Sequence, residues 1–252
     1  MTIKPPREGE SLDATYDASF FKLHEPFRGA YALLASLIRE IAPADASSVI
    51  DVGCGHCILL EELSKHFSEA RGIEGSTSGI HPDLRERVAI VDMAQSGWGT
   101  TTDTRASVIV TLETAEHLPP QCSDEFVAAL VAHQPQMVVF SAATPYQDLG
   151  QNPTHVNEQP LTYWVEKFES NGYALSTRLS KRVRATLQHS GLFARIGWYQ
   201  KNILIFTPGP SEATSFSAQD FIYSSNPIFQ LIFERDRLEF ENLVLKREFK
   251  PR

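Results

Sequence analysis

The chain predicts an α/β fold, a mainly parallel sheet covered by helices on both faces. Short β-branched runs alternate with segments of helical periodicity between residues 49 and 206. A Gly53-Cys54-Gly55 turn joins the first of these strands directly to a helix, and acidic residues stand at the ends of the first three strands. Parallel strands are buried on both faces and read as continuous apolar runs, which is the pattern here.

The elements follow in order. Residues 1–15 are polar and include two prolines. From Tyr16 to Ile41 apolar residues recur at helical spacing (Phe27, Tyr31, Leu34, Leu37, Ile38, Ile41) until Pro43 and Asp45 break the pattern. Strands are predicted at Val49–Val52, Ala70–Glu74, Val88–Val91, Val108–Leu112 and Met137–Ser141, with late strands at Tyr173–Arg178 and Trp198–Phe206. Helices are predicted at Ile58–Phe67, at Asp124–His133 with Ser123 as N-cap, and at Leu161–Asn171 with Gly172 closing it. Residues 180–197 fit neither pattern and read as a lid. After Pro208-Gly209-Pro210 the composition shifts to a Ser-, Ala- and Asn-rich stretch and then to an amphipathic helix over 227–249. The expected organisation is an N-terminal helical cap (1–44), a ligand-binding domain (45–209), and a linker with a C-terminal helix (210–252). That helix would dock on the domain, protrude, or pair two copies into a homodimer.

Composition narrows the function. The 252 residues, 42% of them hydrophobic, suffice for one sizeable core. A net charge of −8 counts against a nucleic-acid groove, which relies on Lys and Arg. The basic cluster Arg178, Lys181, Arg182 and Arg184 reads as a solvated helix face. Three cysteines make no disulfide framework, and the C-x-x-C spacing of Cys54 and Cys57 is read as part of the glycine loop rather than a redox pair. With no signal core or membrane-length apolar run, the chain is expected to be soluble and cytoplasmic.

The first strand ends in Asp51-Val52 before Gly53, Cys54 and Gly55. Glycines there let a ligand approach the backbone. A carboxylate at Asp51 suits a cationic ligand end and would repel a pyrophosphate, and a methionine-derived sulfonium cofactor carries both an α-amino group and S⁺. Glu74, followed by Gly75, ends the second strand where a ribose-binding acid is expected. Asp92 follows the third strand and suits an adenine amino group, with Met93 over the ring face. On these residues, 48–141 resemble the cofactor half of a class I S-adenosylmethionine-dependent methyltransferase. The resemblance implies a Rossmann-like, seven-stranded, mainly parallel sheet with one antiparallel strand, S-adenosylmethionine as cofactor, and contacts that include Leu112 at the end of the fourth strand. The family usually carries a third glycine where this chain has Cys57.

The fourth strand runs into Glu113-Thr114-Ala115-Glu116-His117, and a later loop carries His155-Val156-Asn157. In one reading Glu113 contacts cofactor or substrate, Glu116 caps a turn and His117 orders the loop. In the other, Glu113, Glu116, His117 and His155 bind Mg²⁺, Mn²⁺ or Zn²⁺. Glu-x-x-Glu-His is similar to the divalent-ion site of small-RNA 2′-O-methyltransferases and ubiquinone-pathway O-methyltransferases. Without metal, His117 or His155 is the candidate general base, with Glu113 beside it. Candidate acceptor contacts are Tyr16, Phe20, Phe21, His24 and Arg28, then Tyr146, His155 and Asn157, then Trp198 and Tyr199. The expected activity is O-methylation of a small-molecule hydroxyl in metabolite biosynthesis. RNA 2′-O-methylation, N- or carboxyl-methylation, and a non-catalytic cofactor-binding scaffold stand as alternatives.

Overall fold

The computed structural model describes residues 12–15, 24–100, 105–147 and 151–209, together with residues 235 and 238. Seven strands form one sheet: β1 (Ser48–Val52), β2 (Glu69–Glu74), β3 (Val88–Ile90), β4 (Val108–Leu112), β5 (Met137–Ser141), β6 (Tyr173–Leu175) and β7 (Leu204–Pro208). Their order is β3-β2-β1-β4-β5-β7-β6. The first five are parallel to one another, and β7 runs antiparallel to both β5 and β6. Strand order reverses between β1 and β4, and the carboxyl ends of these strands form the crevice where such sheets bind ligands.

The helices are α1 (Leu12–Thr15), α2 (Arg28–Ile41), α3 (Ile58–Leu63), α4 (Ser123–Ala132), α5 (Leu161–Ser170), α6 (Thr177–Ser190) and α7 (Trp198–Asn202). Two apolar clusters lie on opposite faces of the sheet. One joins α2, α3, α6 and α7 to strand residues such as Val49, Val108 and Val139. The other joins α4 and α5 to Ile50, Ile109, Val138 and Phe140. In α2, Leu34 and Ile38 share a buried stripe one turn apart. The chain leaves α5 through Gly172, whose φ of +79 and N–H bond to the Glu169 carbonyl close the helix as the sequence predicts.

Several expected boundaries move. The strand placed at Tyr173–Arg178 ends at Leu175, because the Ser176 N–H bonds the Ile205 carbonyl and the chain turns into α6. The lid at 180–197 is mostly that helix, with Ser180, Val183, Arg184 and Leu187 on its buried side. Arg184, read as part of a solvated face, is buried, and its Nε donates to the Ile203 carbonyl at 2.7 Å. The strand at Trp198–Phe206 divides into α7 and β7. Ser123 is the first residue of α4 rather than its cap, and its hydroxyl accepts from Asn157. Tyr16, Phe20 and Phe21, the linker and all of the expected C-terminal helix but residues 235 and 238 lie outside the described residues. No helix among the described residues is long and apolar enough to cross a membrane.

Candidate active site

The glycine loop forms as the chain leaves β1. Gly53 and Cys54 both donate their N–H to the Ile73 carbonyl, at 2.8 and 3.2 Å, which ties the turn to β2. Gly53 holds φ +74, and a Cβ there would meet the Thr114 side chain at 2.2–2.8 Å. No other residue fits that crossing between the β1 and β4 ends. Asp51, 3% exposed, lies beneath the turn. Burial, and then the charge of Glu74, push its pKa up to about 7.

Glu74 is already bound to the loop. Its Oε2 accepts the Gly55 N–H at 2.7 Å, and its Oε1 accepts those of Gly75 and Ser76 at 2.8 and 3.1 Å. These bonds partly offset the burial that raises its pKa. The next residues are held by Asp13 of α1, which the sequence did not single out. Its carboxylate accepts from the Ser76 and Thr77 hydroxyls and from the Thr77 and Ser78 N–H groups. Led by the Ser76 bond, they bring its pKa down to about 2. Leu12 covers Gly75, with its Cδ1 2.7 Å from where a Cβ would stand. Asp92 is exposed and caps its own turn through the Ala94 N–H, while Met93 is buried in the second cluster and Leu112 ends β4.

The residues after β4 divide into two groups. Glu113, at φ +52, turns away from its neighbours, and its carboxylate accepts from Gln147 Nε2 at 2.8 Å and Asn202 Nδ2 at 3.2 Å. Glu116, His117 and His155 converge, with one potential ligand atom from each within 4.8 Å of the others. Glu116 is 0% exposed; neither carboxylate oxygen has a partner at full hydrogen-bond geometry among the described residues, and the N–H groups of Glu116 itself and of Ala143 only partly offset its burial. Burial and the charge of Glu113 hold its pKa well above the usual carboxylate range.

The two imidazoles have their roles set by their neighbours. The Thr154 hydroxyl donates to Asn152, so it accepts from His117 Nδ1 at 3.0 Å and leaves Nε2 as the basic nitrogen. Burial, then His155, lower the His117 pKa to about 3. His155 Nδ1 donates to Glu158 Oε1 at 3.1 Å, and the two rings meet edge to face, 4.9 Å apart.

The acceptor candidates scatter. His24 bonds the Tyr31 hydroxyl at 2.6 Å, which in turn lies 3.1 Å from the Tyr199 hydroxyl. Asn157, expected at the acceptor, is buried and joins the loop to α4 and the Ala115 carbonyl, so its amide is structural. Tyr146 is 68% exposed at a strained φ of +65, held by its N–H bond to Glu158. Sequence reasoning missed Gln147, Asn202 and Asp13, since lone polar residues in loops or short helices carry no periodic signal.

No family model matches the chain, and no curated protein matches it. Solved structures do. A chain from the complex of the Haloferax volcanii Trm112 methyltransferase activator and a methyltransferase aligns with TM-score 0.50 and 13% identity, over 79% of this chain and 97% of that one. A SAM-dependent methyltransferase from Archaeoglobus fulgidus aligns with TM-score 0.49 and 18% identity, over 75% and 99%. DesVI from Streptomyces venezuelae is 25% identical with TM-score 0.42, over 51% of this chain, which spans 58% of the DesVI length. With its strand order, its antiparallel β7 and its glycine turn after β1, the protein has the fold of the class I S-adenosylmethionine-dependent methyltransferases.

Proposed function

We propose that the protein is an S-adenosylmethionine-dependent methyltransferase that acts on the hydroxyl of a small molecule with help from a divalent ion. The observation that carries this reading is the set of carboxylates Asp51, Glu74, Glu113 and Glu116 at the carboxyl ends of β1, β2 and β4. Buried carboxylates without a cation are costly, and such a site favours a cationic ligand over a pyrophosphate. Bound S-adenosylmethionine would supply an electrophilic methyl group on a sulfonium. Asp51 would face its cationic end, and Glu74 would accept the ribose hydroxyls while the Gly55 bond keeps the loop in place.

The metal reading rests on the chemistry of the donor set. Glu116 offers two buried oxygens without a partner at full hydrogen-bond geometry among the described residues, and His117 and His155 each have Nδ1 engaged, which fixes the orientation of the ring. Imidazole ligands are commonly oriented in this way by a second partner on the other ring nitrogen. Bound there, a divalent ion would lower the pKa of a hydroxyl. The residues of the chain would orient the acceptor and keep water out. Glu113, drawn aside by Gln147 and Asn202, fits an acceptor contact better than a fourth ligand.

Calorimetry with S-adenosylhomocysteine and a labelled-methyl assay against a metabolite extract test the reading. Binding and transfer are expected, with transfer abolished by dialysis against chelator. Glu74→Ala is expected to weaken binding about 10- to 100-fold. Full transfer in chelator removes the metal. Absence of binding removes the methyltransferase reading itself.

A further inference from the structure

The two buried cysteines of the glycine loop have no role in the proposed transfer. Their Sγ atoms lie 3.7 Å apart. The Cys57 N–H donates to the Cys54 carbonyl at 2.8 Å, so the pair opens and closes a four-residue turn. Such a turn holds its end Cα atoms within about 7 Å. A disulfide spans about 4.4–6.8 Å between Cα atoms and about 2.05 Å between sulfurs, so side-chain rotation with slight tightening of the turn brings the two thiols to bonding distance. Cys57 also holds φ +61, a left-handed conformation that strains any residue with a Cβ. Its thiol packs in the first apolar cluster and has Cys54 and the Gly55 carbonyl as hydrogen-bonding partners.

We infer that Cys54 and Cys57 form a redox modification site, a reversible dithiol that peroxide oxidises to a disulfide, and that the oxidised loop holds its ligand less tightly. Cys54, 8% exposed against 0% for Cys57, is the more accessible of the two residues. Its hydrogen bond with Cys57 and its burial hold its thiol pKa well above the ordinary value, so attack proceeds through the thiolate fraction that grows with pH. Cys54 attacks the peroxide, the O–O bond breaks, and a sulfenic acid and one water result. The Cys57 sulfur then displaces that oxygen as a second water and the S–S bond forms. Two electrons and the two thiol protons have passed to the peroxide. Gly55 lies inside the turn, and its N–H is the bond that seats Glu74. Drawing the sulfurs together moves that N–H against the carboxylate, so the same closure alters the ligand site. The effect on binding rests on the reading of the site given under Proposed function. The thiol chemistry does not.

The test treats the native protein with hydrogen peroxide, blocks remaining thiols with iodoacetamide and digests it with trypsin. The peptide Glu40–Lys65 carries both cysteines and lacks Cys122. It is expected to lose about 2 Da for the two thiol hydrogens, to escape alkylation, and to recover with dithiothreitol. S-adenosylhomocysteine affinity is expected to fall about tenfold and to return on reduction. In Cys57→Ser peroxide is expected to produce neither the loss of about 2 Da in the peptide nor a fall in affinity that dithiothreitol reverses. Full alkylation of the peptide under conditions that oxidise Cys122 overturns the proposal, as does a disulfide that leaves affinity unchanged. If the reduced protein binds no S-adenosylhomocysteine, the methyltransferase reading fails, and the mass shift alone decides the modification site.

Discussion

Asp51 has its carboxyl raised from 3.8 to about 7 by burial and by Glu74. An acid raised in the folded state loses stability as pH climbs from the unfolded value toward the folded one, because burial opposes the charge that forms. A bound cation reverses the balance. The affinity for S-adenosylhomocysteine should therefore rise with pH until about 7 and level off above it, and a flat calorimetric series would exclude Asp51 as the cation partner. Glu116 makes a sharper case, since its two oxygens are buried with no partner at full hydrogen-bond geometry among the described residues, beyond the weak contacts of its own N–H and that of Ala143. Glu116→Gln is expected to stabilise the metal-free protein by on the order of 1–3 kcal/mol and to erase any rise in Tm produced by Mn²⁺. A lower Tm without metal, or an undiminished Mn²⁺ effect, would count against the ion site. Glu116 and His117 were legible as candidates from their spacing. That Glu113 faces elsewhere was not, because Gln147 and Asn202, which hold it, come from a distant loop and helix.

At the scale of elements, the β1 turn depends on Gly53. Gly53→Ala would force a Cβ into the Thr114 side chain at a φ of +74, and the loss should be about 1–3 kcal/mol, read as a lower urea midpoint. Adding Thr114→Ala should recover the steric part and leave the backbone part, since a Cβ remains in the left-handed region. Strands β1 to β5 and helices α2 to α5 were readable because their apolar runs or stripes are continuous. Helix α6 was not readable, since its buried face includes Ser180 and Arg184, polar residues made tolerable by bonds to Ser176, Ile205 and Ile203. Helix α7 looked like a strand because Trp198 and Tyr199 lead into the apolar run of β7. Its helical turn places Tyr199 and Asn202 one turn apart, where they meet Tyr31 and Glu113.

For the whole molecule, four carboxyl groups, Asp51, Glu74, Glu113 and Glu116, gather at the carboxyl end of the sheet. Binding there should stabilise the fold by mass action, by about 2.7 kcal/mol at a ligand concentration a hundredfold above Kd. S-adenosylhomocysteine should raise Tm, while NADH and ATP, with their anionic phosphates, should leave it unmoved. An equal shift from all three would remove charge as the basis of selection. The sequence by itself determined the order of the elements as far as β6, the parallel core of the sheet, the glycine turn and the acids at the ends of β1, β2 and β4. These depend on neighbours in the chain, through periodicity, turn chemistry and the position of a residue at the end of a strand. Only the tertiary structure decided which side chains share a space: Asp13 on the loop after β2, Gln147 and Asn202 on Glu113, and His155 beside His117. Those pairings join residues far apart in the chain, and packing of the helices on the sheet brings them together without leaving a local pattern to read.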